Sequence, residues 1–365
     1  MSGLDSIIAK VIGETGLALG WKAGGPGGTA QPASFENAEE AAGAVFDMTC
    51  VHNLAVHLPR LKGKDTGIVA KACDARSIVQ LIEERAVERE RVRVIGVRGC
   101  GGTVDVRAIW RRFGYGAQID CSNDFLIING TSVNREAFLN RKCQDCGDAE
   151  PVIFDELFDA GSALAADGGE AADGDEAADC GEARDRGAAA DGGAAAADGG
   201  AATAERGGVA ATIVSGESVA AGSIGEGDRI RAEFQAMTPA ERRGFWREQY
   251  SRCIRCYACR EACPMCFCRD VCIMQTAEPR WTGGGTNAHD AEMMQLIRVG
   301  HLAGRCTGCG ACERACPAGI PLMLLVEEQN RVVEELFGGY RAGTDPEARP
   351  PLLTFSIEGD SWSGE

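Results

Sequence analysis

The sequence predicts two folded parts of different class. An α/β amino-terminal domain with a small parallel or mixed sheet is expected over 1–158, and an α-rich domain over 229–340. Between them lies a disordered acidic linker, 159–228, and an irregular tail follows over 341–365. Three observations lead there. Residues 65–97 read as strand, helix, strand. Residues 161–220 are Ala, Gly and Asp in loose repetition, with 12 acidic and 3 basic side chains and no aromatic residue, too little apolar surface to offset chain entropy. Finally, the spacing C-x2-C-x2-C-x3-C-P occurs twice beyond the linker.

In chain order, DTGIVAKA (65–72) is a buried strand, DARSIVQLIEERAVE (74–88) has helical periodicity, and RVRVIGV (91–97) is a second strand. Such a unit makes its strands parallel, so Cys73 and Cys100, each just past a strand's carboxyl end, should share one edge of the sheet. DFLIINGTSVN places Asn129-Gly130 between two short strands, a type I′ hairpin signal, and leads to the close pair Cys143 and Cys146. The glycine run AGGPGG (23–28) lacks the strand-to-helix context of a phosphate loop and reads as a turn. Past the linker, Thr238, Pro239 and Glu241 mark a helix start. A second helix is expected over 288–303, and PLMLLVEEQNRVVEELF supplies a third.

The chain holds 18 cysteines in 365 residues, mostly in short-spaced clusters, a pattern of metal binding rather than of disulfides. In each repeated run, three cysteines two residues apart can wrap one 4Fe-4S cluster, while the fourth is displaced toward the cluster of the other run. One cluster would take Cys253, Cys256, Cys259 and Cys316; the other would take Cys306, Cys309, Cys312 and Cys263. The second part is therefore a bacterial-type dicluster ferredoxin domain. Zinc also favours four thiolates, but paired knuckles do not require a third and fourth cysteine followed by proline.

Cys73, Cys100, Cys143 and Cys146 suit a third 4Fe-4S cluster; Cys121 could substitute for Cys73, but before a hairpin strand a small buried thiol is the ordinary reading. Cys266, Cys268 and Cys272 supply three thiols for a fourth cluster that lacks a ligand, or else sulfur packed beside the second cluster. Cys50 reads as a small buried thiol, His52 and His57 as surface or packing residues, and Cys180 as incidental to the linker. Ala258, Gly308 and Gly310 would let backbone amides approach sulfide, or simply serve turn geometry.

Taken together, VAKACDARSIVQLIEE, VIGVRGCGG, KCQDCGDAEPVIFDELF, CPMCFCRDVC and HLAGRCTGCGACERACPAGIPLMLL resemble the small iron-sulfur relatives of the beta subunits of deazaflavin-coenzyme-reducing hydrogenase and formate dehydrogenase. The resemblance spans most of the chain except linker and tail. It implies a subunit passing electrons between a catalytic oxidoreductase subunit and a second redox protein, in a formate dehydrogenase, hydrogenase or heterodisulfide-reductase-like assembly. Larger members carry flavin; here the amino-terminal region is about half a doubly wound domain in pattern, and flavin is not predicted. IGVRGC also departs from the group's IGV-P-C.

The net charge of -17 argues against a nucleic-acid partner. No apolar window spans a bilayer, and no leader is legible in MSGLDSIIAKVIGETGLALGW, so a reducing cytoplasm is expected, with no direct membrane insertion. No nucleophile or general-base constellation is evident. The leading expectation is an electron-transfer subunit; the alternatives are a free multicluster ferredoxin and a flavin or deazaflavin oxidoreductase in its own right.

Overall fold

The computed structural model describes residues 3–121, 125–144, 146, 150–161, 226–268, 271–275 and 283–353. The linker expected over 159–228 falls, from 162 to 225, outside the described residues. Met1–Gly168 and Ile224–Glu365 together form one compact unit.

The amino-terminal half is a mixed five-stranded sheet. Helix α1 (Gly3–Thr15) leads into β1 (Ala18–Ala23) and β2 (Ala30–Phe35), followed by the single-turn helix α2 (Ala38–Ala41). Then come β3 (Thr66–Ala70), α3 (Ala72–Glu83) and β4 (Val92–Arg98), and β8 (Glu156–Asp159) closes the edge in the order β2-β1-β3-β4-β8. β3 and β4 pair in parallel from Thr66 opposite Val92 to Ala70 opposite Gly96, as the strand-helix-strand pattern requires. The crossover helix is shorter than its periodicity suggested. It ends at Glu83 because Arg85 turns left-handed (φ 56°) and the Ala86 amide folds back onto the Leu81 carbonyl at 2.9 Å.

Between β4 and β8 the chain forms α4 (Val106–Phe113), a three-stranded antiparallel meander of β5 (Ile119–Cys121), β6 (Phe125–Ile128) and β7 (Thr131–Asn134), and α5 (Arg141–Gln144). Asn129 and Gly130 both have positive φ, 50° and 79°, which is the expected type I′ hairpin. AGGPGG joins β1 to β2. Within it, a side chain at Gly27 would meet the Ala117 carbonyl oxygen at 2.0 Å, so glycine lets this turn lie against the meander.

The carboxyl-terminal half is helical: α6 (Glu226–Ala236), α7 (Pro239–Ser251), α8 (Ala258–Glu261), α9 (Ala288–His301), α10 (Ala311–Ala315) and α11 (Leu322–Leu336). A capping box starts α7, with Thr238 and Glu241 exchanging backbone hydrogen bonds. Its own core gathers Phe234, Trp246, Tyr250, Met294, Ile320 and Leu324 around Cys253, Cys259, Cys312 and Cys316. Met265 and Leu302 instead belong to the core of the α/β sheet, with Cys263, Cys266, Phe267 and Cys306 packed against it. The joint is tied by Arg305 to Glu84 (2.7 Å), Ser77 to Thr307 (2.9 Å) and Tyr340 to Gln80 (3.1 Å), all reaching α3 or its carboxyl-terminal cap. Among the described residues, no helix is long and apolar enough to cross a membrane.

Candidate metal centres

The two repeated runs fold alike. In the first, Arg255 and Tyr257 flank Cys256 with φ of 51° and 58°; in the second, Gly308 and Gly310 flank Cys309 with φ of 70° and 69°. This alternation bends both loops in the same way, leaving Cys256 at the surface and Cys309 buried. The two glycines serve turn geometry and Gly308 also lends its amide to the Cys306 sulfur, while the first run adopts the same bend with side chains that prefer it less. Arg255 is held there by donating to the Gly285 carbonyl at 2.8 Å and to the Tyr257 hydroxyl at 3.0 Å.

Each run receives the last cysteine of the other. Cys253 has the thiols of Cys259, Cys316 and Cys256 as its charged neighbours, and these four line one small cavity of about 20 Å³. Cys306 has Cys263, Cys312 and Cys309. The amide two residues further on donates to the sulfur of Cys253, Cys306, Cys263 and Cys100, from Arg255, Gly308, Met265 and Gly102 respectively. Bonds of this kind favour thiolate and tune a cluster held by it. Ile320 N–H also approaches Cys316 Sγ at 3.5 Å, and Gln295 Nε2 approaches Cys259 Sγ at 3.8 Å. Burial first, and then the neighbouring thiols, work the other way, raising Cys312 to about 12 against the pull of Arg298 and Cys306 well above an ordinary thiol. Loading metal here must therefore release protons.

Cys73, in the first turn of α3, and Cys100, after β4, meet at the sheet edge with Cys143 of α5. All three, together with Cys146, line an open cavity of about 900 Å³. Thr103 N–H lies 3.4 Å from Cys143 Sγ, and Lys142 Nζ donates to Cys73 Sγ at 3.2 Å. Burial lifts Cys73 to about 12, against the pull of Lys142. Burial would lower Lys142, but the thiols of Cys73, Cys143 and Cys309 hold it above the usual lysine value. Lys142 thus spans two sets, since Cys309 belongs to the second run.

Cys121 is not brought to that cavity. It lies on the meander beside Asp47 and Asp120, its thiol raised to about 12 by burial. Cys266 lies against Cys263 and shares a hydrogen bond with it, which lowers its pKa despite burial. Cys263, Cys266 and Cys268 line a cavity of about 380 Å³ with Arg60 and Arg260, and Arg260 also binds Cys272.

One buried cation beside these sets is not announced by the cysteine spacing. Arg298 of α9 is 1% exposed, and among the described residues its guanidinium bonds no oxygen or nitrogen group, facing thiols, Cys312 first. The signal was the spacing Ala291, Met294, Arg298, which puts a charge on the buried face of an amphipathic helix.

Four thiols per set, amide donors aimed at sulfur and a buried unpaired cation beside them fit iron-sulfur clusters, which are anionic with thiolate ligands. Among the described residues, no three His, Cys, Asp or Glu side chains are grouped to hold a single metal ion. The helical half has the site of a ferredoxin-type domain, and residues 249–320 match the family described as 4Fe-4S dicluster domain. The chain therefore carries a 4Fe-4S dicluster domain. Over 114 residues it is 35% identical to the F420-dependent formate dehydrogenase subunit beta of Methanocaldococcus jannaschii, a stretch covering 31% of this chain and 28% of that protein. Over 108 residues it is 34% identical to the F420-dependent formate dehydrogenase 1 subunit beta of Methanococcus maripaludis, covering 29% and 26%. The match spans little more than a quarter of the curated relatives' length, and over that stretch it bears out the resemblance to this beta-subunit family.

Proposed function

We propose that this chain is an iron-sulfur electron-transfer subunit, of beta type, in a cytoplasmic oxidoreductase complex such as a formate dehydrogenase, where it relays single electrons between a catalytic subunit and a second redox protein. The observation that carries the reading is the crossed pairing of Cys316 with the first run and Cys263 with the second. Cys253, Cys256, Cys259 and Cys316 would hold one 4Fe-4S cluster, and Cys306, Cys309, Cys312 and Cys263 the next. Cys73, Cys100, Cys143 and Cys146 would hold a third, at the sheet edge. The clusters supply one-electron redox chemistry. The protein's part is to exclude water, donate amide hydrogens to sulfur and place Lys142 and Arg298 where negative charge gathers. Lys142, facing thiols of the second and third sets, makes these two neighbours in a relay.

The run Cys266, Cys268 and Cys272 either completes a fourth cluster or leaves sulfur beside the second. Anaerobic purification with iron and sulfide counted, flavin assayed and co-purifying chains identified tests all of this. The expected result is about twelve irons per chain, at four per cubane, no flavin, and a large catalytic partner. About sixteen would assign the fourth cluster; about eight would remove the third. A flavin-containing chain reducing a deazaflavin unaided would overturn the subunit reading.

A further inference from the structure

We propose that Arg298 is a positioning cation shared by the two dicluster centres, raising the reduction potential of both. Like Lys142, which faces the thiols of Cys73, Cys143 and Cys309, it meets sulfur where other buried cations meet carboxylates. Lys71 pairs with Asp74 at 2.8 Å, Arg141 with Glu327 at 2.7 Å and Arg305 with Glu84 at 2.7 Å. Arg298 is 1% exposed, and among the described residues no carboxylate forms an ion pair with it. The groups facing it are the thiols of Cys312, Cys259, Cys263 and Cys266, and the Tyr250 phenol lies nearby.

A guanidinium cannot shed its proton at ordinary pH, and a charge buried without a counter-charge is strongly destabilising. Neutral thiols do not supply one. Thiolate-ligated clusters do, and Arg298 stands where both contribute: Cys259 belongs to the first set, and Cys263 and Cys312 to the second. A fixed positive charge stabilises a centre more after it gains an electron than before. Because one cation faces both sets, both potentials should move together when it is removed. Cys73, Cys100 and Cys143 are not among its neighbours, so a third cluster should be unaffected.

The inference rests on the two-cluster reading. The test is a redox titration of the full chain, with its co-purifying partners, followed by low-temperature electron paramagnetic resonance in wild type, Arg298→Lys and Arg298→Gln. Expected are potentials close to wild type in Arg298→Lys, and a shift of both dicluster centres to more negative potential in Arg298→Gln, with any third signal unmoved. Loss of iron from Arg298→Gln alone would also support the proposal, because the charge is then required even for assembly. Unmoved potentials in Arg298→Gln, a shift of one centre only, or loss of iron from both variants would overturn it. Wild-type chain without two such signals would instead overturn the two-cluster reading and this proposal with it.

Discussion

Lys71 and Asp74 show how much can depend on two side chains. The pair is sealed, 1% and 0% exposed, with Lys71 also donating to the His52 carbonyl at 2.8 Å and lying 4.1 Å over the Trp21 ring. Asp74→Ala strands a buried cation and should cost about 3–5 kcal/mol in urea unfolding. Lys71→Met combined with Asp74→Ala should recover most of that loss, because no charge is left unpaired. His52 beside them keeps part of its ring exposed, and the desolvation of the rest, followed by Arg314 and Lys71, lowers its pKa below the usual histidine value. Its folded pKa lies below its unfolded value, so its neutral form favours folding above about pH 6.5, and that contribution fades as pH falls toward 4. A His52→Gln chain should therefore lose less stability than wild type between pH 6.5 and 4. The sequence displayed VAKACDAR but not this pairing, because an acid three residues after a lysine is ordinary on an exposed helix and only the fold buries it. Arg298 was hidden for the same reason.

Elements whose causes are local were legible. The capping box, the Asn129-Gly130 hairpin and the strand-helix-strand unit each rest on neighbouring residues. Pairing of β1 between β2 and β3, and the return of β8 to the sheet edge, were not legible, since they depend on contacts far apart in sequence. Thr238→Ala removes one side of the capping box and should cost about 1 kcal/mol, read as a lower denaturation midpoint with iron retained. By contrast, Cys100→Ser removes a thiol from the sheet edge formed by β3 and β4. About four irons per chain should disappear, with the two dicluster signals intact; an unchanged iron count would mean that Cys100 is not a ligand.

At the scale of the molecule, the two classes of structure are interlocked. Met265 and Leu302 fill the sheet's core from the helical half, and Cys263 and Cys306 pack against that core. Residues 226–353 expressed alone should expose this face and retain fewer than the roughly eight irons of two cubanes, measured after anaerobic reconstitution. A full complement would show that the helical half shapes both centres unaided. Cysteine spacing announced the crossed sets at once, whereas the seating of the second set on the sheet was invisible, because no spacing encodes which core a methionine enters. The crossing also bears on manufacture. A growing chain emerges at roughly 5–20 residues per second, so the site begun by Cys253 must wait, open, for Cys316 to leave the ribosome. With the crossed ligands proposed above, the first centre cannot be completed on a nascent chain that stops short of Cys316, nor the second on one that stops short of Cys312, and an iron donor acting earlier would find only partial, competing sets of thiols.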